Sequence, residues 1–270
     1  MSLDEISSRG IVLLGCGRMG SALLKGWLAR GVPARGIAVI EPEPSAWLRE
    51  TGVSISGGLP TTPAVLLVAV KPQLMSEALA PVTGVAGGET LVVSIAAGTP
   101  ISAFEAAFGT ETPIVRAMPN TPAAIGHGIT AITGNAATGP AHLAEAEALL
   151  EAVGQVVRVD REDLMDVVTA VSGSGPAYVF HLIEALAAAG EAQGMPPDLA
   201  LRLARVTVAG AGALAEASAE PPGTLRENVT SPGGTTAAAL EVLMDETRGF
   251  PGLLKDAVAA ATKRGRELGA

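Results

Sequence analysis

The chain has 270 residues, 48% hydrophobic and 17% charged, with a formal charge of −9. This composition is too apolar for disorder, and the length fits one large domain or two ordinary ones. The acidic balance excludes an electrostatic nucleic-acid or anionic-membrane binder. One cysteine excludes a disulfide framework or a Cys-based zinc site and, with no signal peptide in the first 15 residues and no long apolar run, predicts a cytoplasmic protein.

In chain order, short Val/Ile/Leu runs at 11–14, 37–40, 65–70, 91–95, 114–116, 130–133 and 155–159 alternate with helical or turn-rich stretches. Near-continuous apolar runs of this length are the pattern of parallel strands buried on both faces. Residues 1–160 are therefore expected to form an α/β, doubly wound, Rossmann-like parallel sheet.

The first run leads directly into Gly15-Cys16-Gly17-Arg18-Met19-Gly20 and then a helical pattern. In such a loop the first glycine allows a tight turn, the second lets backbone approach a pyrophosphate, and the third lets helix and strand pack closely. A strand-to-helix turn without a ligand is the alternative. Glu41 follows the second run, about 20 residues beyond the loop, where a carboxylate meets the adenosine ribose and repels a 2′-phosphate. With no Lys or Arg in the residues just after it, NADH is expected over NADPH, unless Glu41 belongs to a solvated acidic turn. Ala69-Val70-Lys71-Pro72 and Ile95-Ala96-Ala97 end the third and fourth runs, where open α/β sheets bind ligands. Arg116-Ala117-Met118-Pro119-Asn120-Thr121-Pro122 suits a ligand wall or a structural turn about equally.

Beyond residue 160 the pattern becomes helical, with stretches at 163–171, 177–193, 197–219, 235–243 and 252–268. These helices are rich in Ala and Gly in a chain with 3% aromatics, too slight in side-chain volume to bury themselves alone. Residues 161–270 are expected to be an all-helical domain that packs on a second copy. Two loops, 172–178 and 228–236, place small hydroxyl and glycine residues before helix N-termini, which suits a small carboxylate or plain capping.

The three histidines lie far apart without metal-binding spacing, so no metal is expected. No Walker A or G-x-S-x-G motif occurs. Cys16 is read as a small loop residue, although a helix N-terminus can activate a thiol.

Together GCGRMG, AVKPQ, VSIAAG, RAMPNTP, DVVTAVSGSGPAYVFHLIEAL and ENVTSPGGTTAAALEVL make the chain resemble pyrroline-5-carboxylate reductases almost end to end. The resemblance implies reduction of L-1-pyrroline-5-carboxylate, a cyclic imino acid, to L-proline by NADH or NADPH. It also implies a helical domain interlocking two chains, often within decamers. Carried over by position, it gives the dinucleotide Leu14, Gly15, Cys16, Gly17, Arg18 and Met19, then Ala69, Val70, Lys71, Pro72, Ile95, Ala96, Ala97 and Asn228; Gly20 joins the cofactor residues from the glycine-loop pattern. The substrate receives Glu162, Ser231, Gly233, Gly234, Thr235 and Thr236, with Thr236 as the candidate for the ring nitrogen. The family tends toward NADPH and often has a small polar residue where this chain has Glu41. A β-hydroxyacid dehydrogenase would carry a lysine in the first interdomain helix, and residues 163–193 contain none. A non-catalytic dinucleotide-binding scaffold is the remaining alternative.

Overall fold

The computed structural model describes residues 3–269. The chain divides into two compact units, Met1–Gly173 with Ala261–Ala270, and Ser174–Ala260.

The first unit carries strands β1 (Ile11–Leu14), β2 (Ile37–Ile40), β3 (Ser54–Ile55), β4 (Val65–Val68), β5 (Leu91–Ser94), β6 (Ile114–Met118), β7 (Gly128–Gly134) and β8 (Gly154–Arg158). Its helices are α1 (Leu3–Arg9), α2 (Arg18–Ala29), α3 (Ala46–Glu50), α4 (Met75–Leu79), α5 (Ile101–Phe108), α6 (Pro140–Leu150) and α7 (Met165–Val168). One sheet holds all eight strands in the order β3-β2-β1-β4-β5-β6-β7-β8.

The apolar runs form strands because each is buried from both sides. Ile11, Leu13, Val65, Leu67 and Val93 pack with Leu23, Leu24 and Trp27 of α2 and with Leu149 and Leu150 of α6. Their chain neighbours Val12, Leu14, Leu66, Val68 and Val92 point the other way and pack with Ile101 and Phe104 of α5. Successive side chains of a strand face opposite sides, so alternate residues feed two cores.

Two features depart from the sequence pattern. β3, only two residues long, leaves no periodic signal. β7 runs antiparallel to β6 while pairing parallel with β8. Residues 119–127 link β6 to β7 through a short 3₁₀ turn, Thr121–Ile125, too little chain for the crossover that a parallel neighbour needs. The sheet is therefore parallel from β3 to β6 and reverses over its last two strands.

The second unit holds α8 (Gly175–Ala192), α9 (Pro197–Ala217), α10 (Pro222–Asn228), α11 (Thr235–Leu243) and the start of α12 (Phe250–Gly269), whose last residues from Ala261 count with the first unit. α8 and α9 form a hairpin in which Ala187, Ala200 and Ala204 are buried, with Ile183 and Met195 packed against them. α10 lies in a stretch for which the sequence pattern gives no helix, and it opens after Pro221: Pro222 occupies the first helical position, where its missing N–H costs nothing. The stretch 172–176, read as an open loop, is helical instead. Thr169–Gly173 is a π-helical turn, Ser174 is a bend, and Pro176 sits in the first turn of α8. No helix among the described residues is long and apolar enough to cross a membrane.

Candidate active site

The ends of four parallel strands are brought into line. Leu14 pairs in register with Ile40 on one side and Val68 on the other, and Val68 pairs with Ser94. Gly15, Glu41, Ala69 and Ile95 thus leave the sheet side by side. Between β1 and β4 the strand order reverses direction, and outside such a switch point open α/β sheets hold their ligands.

Gly15 turns sharply with φ +89°, and a Cβ there would lie 2.9 Å from the carbonyl oxygen of Ala69. Its N–H donates to the carbonyl of Ile40. A Cβ on Gly20 would meet the Gly15 carbonyl at 2.4 Å, so the first turn of α2 lies directly on the loop. Gly17 differs from both. Its φ is −68°, and a side chain added there would meet no protein atom within 4 Å. Neither backbone conformation nor packing requires glycine at 17, while an open approach to the N-terminus of α2 does suit a phosphate. Ser21 completes the loop by donating its hydroxyl to the carbonyl of Cys16 at 2.8 Å. Sequence reasoning missed Ser21; a hydroxyl in the first turn of a helix is its only signal.

Glu41 sits one residue past β2. One carboxylate oxygen accepts the Cys16 N–H at 2.7 Å, and the other accepts the Glu43 N–H at 3.1 Å. The acid is thereby held against the glycine loop. Cys16 itself is buried, and burial pushes its thiol above the ordinary value; a hydrogen bond with Ser21 opposes this more weakly, and the Glu41 charge adds to it. The thiol is consequently protonated at neutral pH, opposite to an activated cysteine.

Among the other strand-end residues, Lys71 is exposed; its carbonyl accepts the Leu74 N–H at 3.0 Å, and its ammonium makes no ion pair or hydrogen bond with another described residue. The Ala96 N–H bonds to Ser94 Oγ at 3.2 Å, and Ala97 faces solvent. The loop after β6 is largely structural. Asn120 accepts the Ile129 N–H at 3.0 Å and donates to Ser172 Oγ. Arg116, with its side chain 9% exposed, donates to Glu162 Oε1 at 2.9 Å and lies 3.9 Å from Asp166. The same Glu162 oxygen accepts the Ile101 N–H at 2.8 Å. Glu162 therefore anchors the start of α5, whose preceding loop is the strand end Ile95-Ala96-Ala97. Sequence reasoning also missed Arg116 as its partner.

In the second unit, Ser231-Pro232-Gly233-Gly234 forms a β-turn closed by the Gly234 N–H on the Ser231 carbonyl at 3.0 Å. Gly233 has φ +67° behind Pro232, the backbone of a type II turn. Thr235 opens α11 directly, so the N–H groups of Thr235 and Thr236 belong to the first turn, where no intrahelical acceptor exists. The Thr236 hydroxyl has no hydrogen-bond partner among the described residues. Asn228 closes α10 and donates to Glu220 at 3.1 Å. The strand-end residues and the loop 231–236 lie in different compact units.

Residues 162–268 match the family model described as pyrroline-5-carboxylate reductase dimerisation, and residues 10–98 match that of NADP oxidoreductase, coenzyme F420-dependent. A pyrroline-5-carboxylate reductase of Synechocystis sp. is 48% identical over 205 residues, covering 76% of this chain and 75% of that one. The solved structure of a pyrroline-5-carboxylate reductase from Coxiella burnetii has a TM-score of 0.91 at 32% identity, covering 97% of this chain and 99% of the other. That of the Plasmodium falciparum pyrroline carboxylate reductase, with NADP bound, has a TM-score of 0.81 at 28% identity over 98% and 100%.

Proposed function

The chain belongs to the pyrroline-5-carboxylate reductase family and reduces L-1-pyrroline-5-carboxylate to L-proline with a nicotinamide cofactor; we propose that its strand-end row holds the dinucleotide and its 231–236 turn the substrate. The observation that carries this reading is Gly17, open at the helix N-terminus for no reason internal to the protein.

Leu14, Gly15, Cys16, Gly17, Arg18, Met19 and Gly20 cradle the pyrophosphate, with Ala69, Val70, Lys71 and Pro72 and Ile95, Ala96 and Ala97 along its path, and Asn228 is a further dinucleotide residue. Glu41 accepts hydrogen bonds from the adenosine ribose and disfavours a 2′-phosphate, so NADH is the preferred cofactor. When bound, the nicotinamide supplies the hydride.

Ser231, Gly233, Gly234, Thr235 and Thr236 receive the substrate's carboxylate through backbone N–H groups at the positive end of α11. Glu162 borders the substrate with the oxygen left over from Ile101 and Arg116. A cyclic imine protonated at nitrogen is already a good hydride acceptor, so orientation is the main demand on the protein. Thr236 orients the ring nitrogen; its hydroxyl is too weak an acid to act alone and relays a proton from water.

Residues 161–270 serve as the substrate and dimerisation region, building a homodimer that assembles further into a decamer. The cytoplasm is the compartment that fits the one unpaired cysteine. The test follows nicotinamide absorbance with three additions: the cyclic imine, 3-hydroxy acids with oxidised cofactor, and no substrate. Turnover with the imine alone is the expected outcome. Turnover with hydroxy acids alone, or with nothing, overturns the reading.

A further inference from the structure

The loop 95–100 leaves β5 and enters α5 with little of its own to hold it. Its first half is tied back to the strand, where the Ala96 N–H bonds to Ser94 Oγ. At its second half the residue capping α5 is Pro100, which has no side-chain acceptor to offer the first turn. The N–H of Ile101, at the first helical position, has no intrahelical partner either. Glu162, 61 residues further along the chain, supplies the acceptor. A carboxylate at a helix N-terminus is favoured by the helix dipole as well.

That carboxylate is in turn steered by Arg116. Arg116 lies beside Ser94 in the parallel register of β5 and β6. Ile114, two residues back, packs with Ile101 and Phe104 of α5, and Arg116 faces the same side of the sheet. Its guanidinium donates to the very Glu162 oxygen that holds Ile101, while the other Glu162 oxygen has no partner among the described residues. Asp166 flanks the guanidinium and is backed by α12, where a Cβ added to Gly265 would lie 3.2 Å from the Asp166 carboxylate. A buried arginine between carboxylates adds little stability over an apolar filler, because desolvation offsets the attraction. Its distinctive effect is geometric: it fixes one Glu162 oxygen, and with it the end of the loop.

We propose that Arg116 is a positioning residue for the nicotinamide cofactor, acting through the shared Glu162 oxygen to hold Ile95-Ala96-Ala97 in the pose that receives the dinucleotide. The proposal rests on the reading of those three residues as cofactor residues. Without the guanidinium, Glu162 turns toward solvent, the Ile101 N–H loses its acceptor, and the loop spends only part of its time in the binding pose. Apparent affinity falls by that fraction.

Hydrogen exchange read by mass spectrometry and fluorescence titration with NADH, both on the intact chain without imine, test this. In Arg116→Met, exchange across 95–101 and the NADH dissociation constant are each expected to rise about 10-fold, while β1 and β4 stay protected. Arg116→Lys, which keeps a charged donor, restores part of both. Wild-type affinity together with wild-type exchange in Arg116→Met overturns the proposal, and lost affinity without faster exchange in 95–101 overturns the route through Glu162. Faster exchange with unchanged affinity instead removes Ile95-Ala96-Ala97 from the cofactor site, leaving the Arg116–Glu162–Ile101 link as a purely structural one. The wild type gives a readout that no folding defect can obscure: NADH is expected to slow exchange at 95–101 and at 162–166 together. Slowing at 95–101 alone overturns the proposed link.

Discussion

The carboxylate of Glu41 accepts the backbone N–H of Cys16 at 2.7 Å, which ties the end of β2 to the glycine loop between β1 and α2. The same acid therefore has two separable duties, holding the loop and setting the charge beside the ribose. Glu41→Gln keeps an acceptor for Cys16 and removes the charge together with the acceptor for Glu43; Glu41→Ser removes the charge and both acceptors. At a few ångströms and an effective dielectric of about 20, two like charges repel by a few kcal/mol before screening, or roughly 10- to 100-fold in catalytic efficiency. Wild type is expected to favour NADH by about that factor. Both variants narrow the gap, and Glu41→Ser also raises KM for NADH. Steady-state kinetics with each cofactor at saturating imine check this, and a wild-type preference for NADPH contradicts it.

Gly17 and Gly20 answer to different demands. Gly20→Ala drives a methyl group into the Gly15 carbonyl and is expected to cost about 1–3 kcal/mol of stability, as overpacking does. Gly17→Ala meets no protein atom and is expected to cost less than about 1 kcal/mol, the scale of a changed N-cap. Its dinucleotide affinity, however, falls about 10-fold or more, equivalent to about 1.4 kcal/mol. Thermal melts paired with cofactor titrations separate the two outcomes. Equal cofactor affinity in Gly17→Ala and wild type removes the phosphate from that loop.

Much of this was legible in the sequence because burial on both faces makes a strand a plain apolar run, as in β1, β2 and β4. The turn Ser231-Pro232-Gly233-Gly234 likewise announces the start of α11, since Pro and Gly in that order fit a type II turn. Strand direction was not legible for β7. It depends on how much chain separates β6 from β7, not on residues within either strand. The stretch 172–176 read as a loop because Gly, Ser and Pro favour turns, yet proline costs little in a first helical turn and α8 begins there. The Arg116–Glu162 pair spans 46 residues, and no local pattern signals an ion pair formed only by the fold.

Thr236→Ala is expected to lower kcat/KM for the imine by about 10- to 150-fold, the value of one hydrogen bond to a charged ligand. Affinity for the dinucleotide stays close to wild type, because Thr236 is assigned to the substrate and not to the dinucleotide. Thr236→Ser, which keeps the hydroxyl, restores most of the rate. Kinetics and cofactor titration on the two variants check both halves, and a fully active Thr236→Ala removes the assigned role.

Cys16 supplies a pH-dependent readout of the loop. Its thiol is raised above 9.0, chiefly by burial, so the thiolate forms only in alkaline solution. Alkylation by iodoacetamide is expected to be slow at neutral pH and to accelerate above pH 9. Saturating cofactor slows it further. Rapid labelling at pH 7 contradicts the buried, protonated thiol.

Isotope transfer tests the central claim most directly. The protein is incubated with L-1-pyrroline-5-carboxylate and NADH deuterated at the transferable position of nicotinamide C4, and the product is read by mass spectrometry. L-Proline one mass unit heavier, with the deuterium on the carbon of the former C=N bond, is the predicted result. No proline, or unlabelled proline formed at the rate of cofactor oxidation, would contradict hydride transfer to the imine.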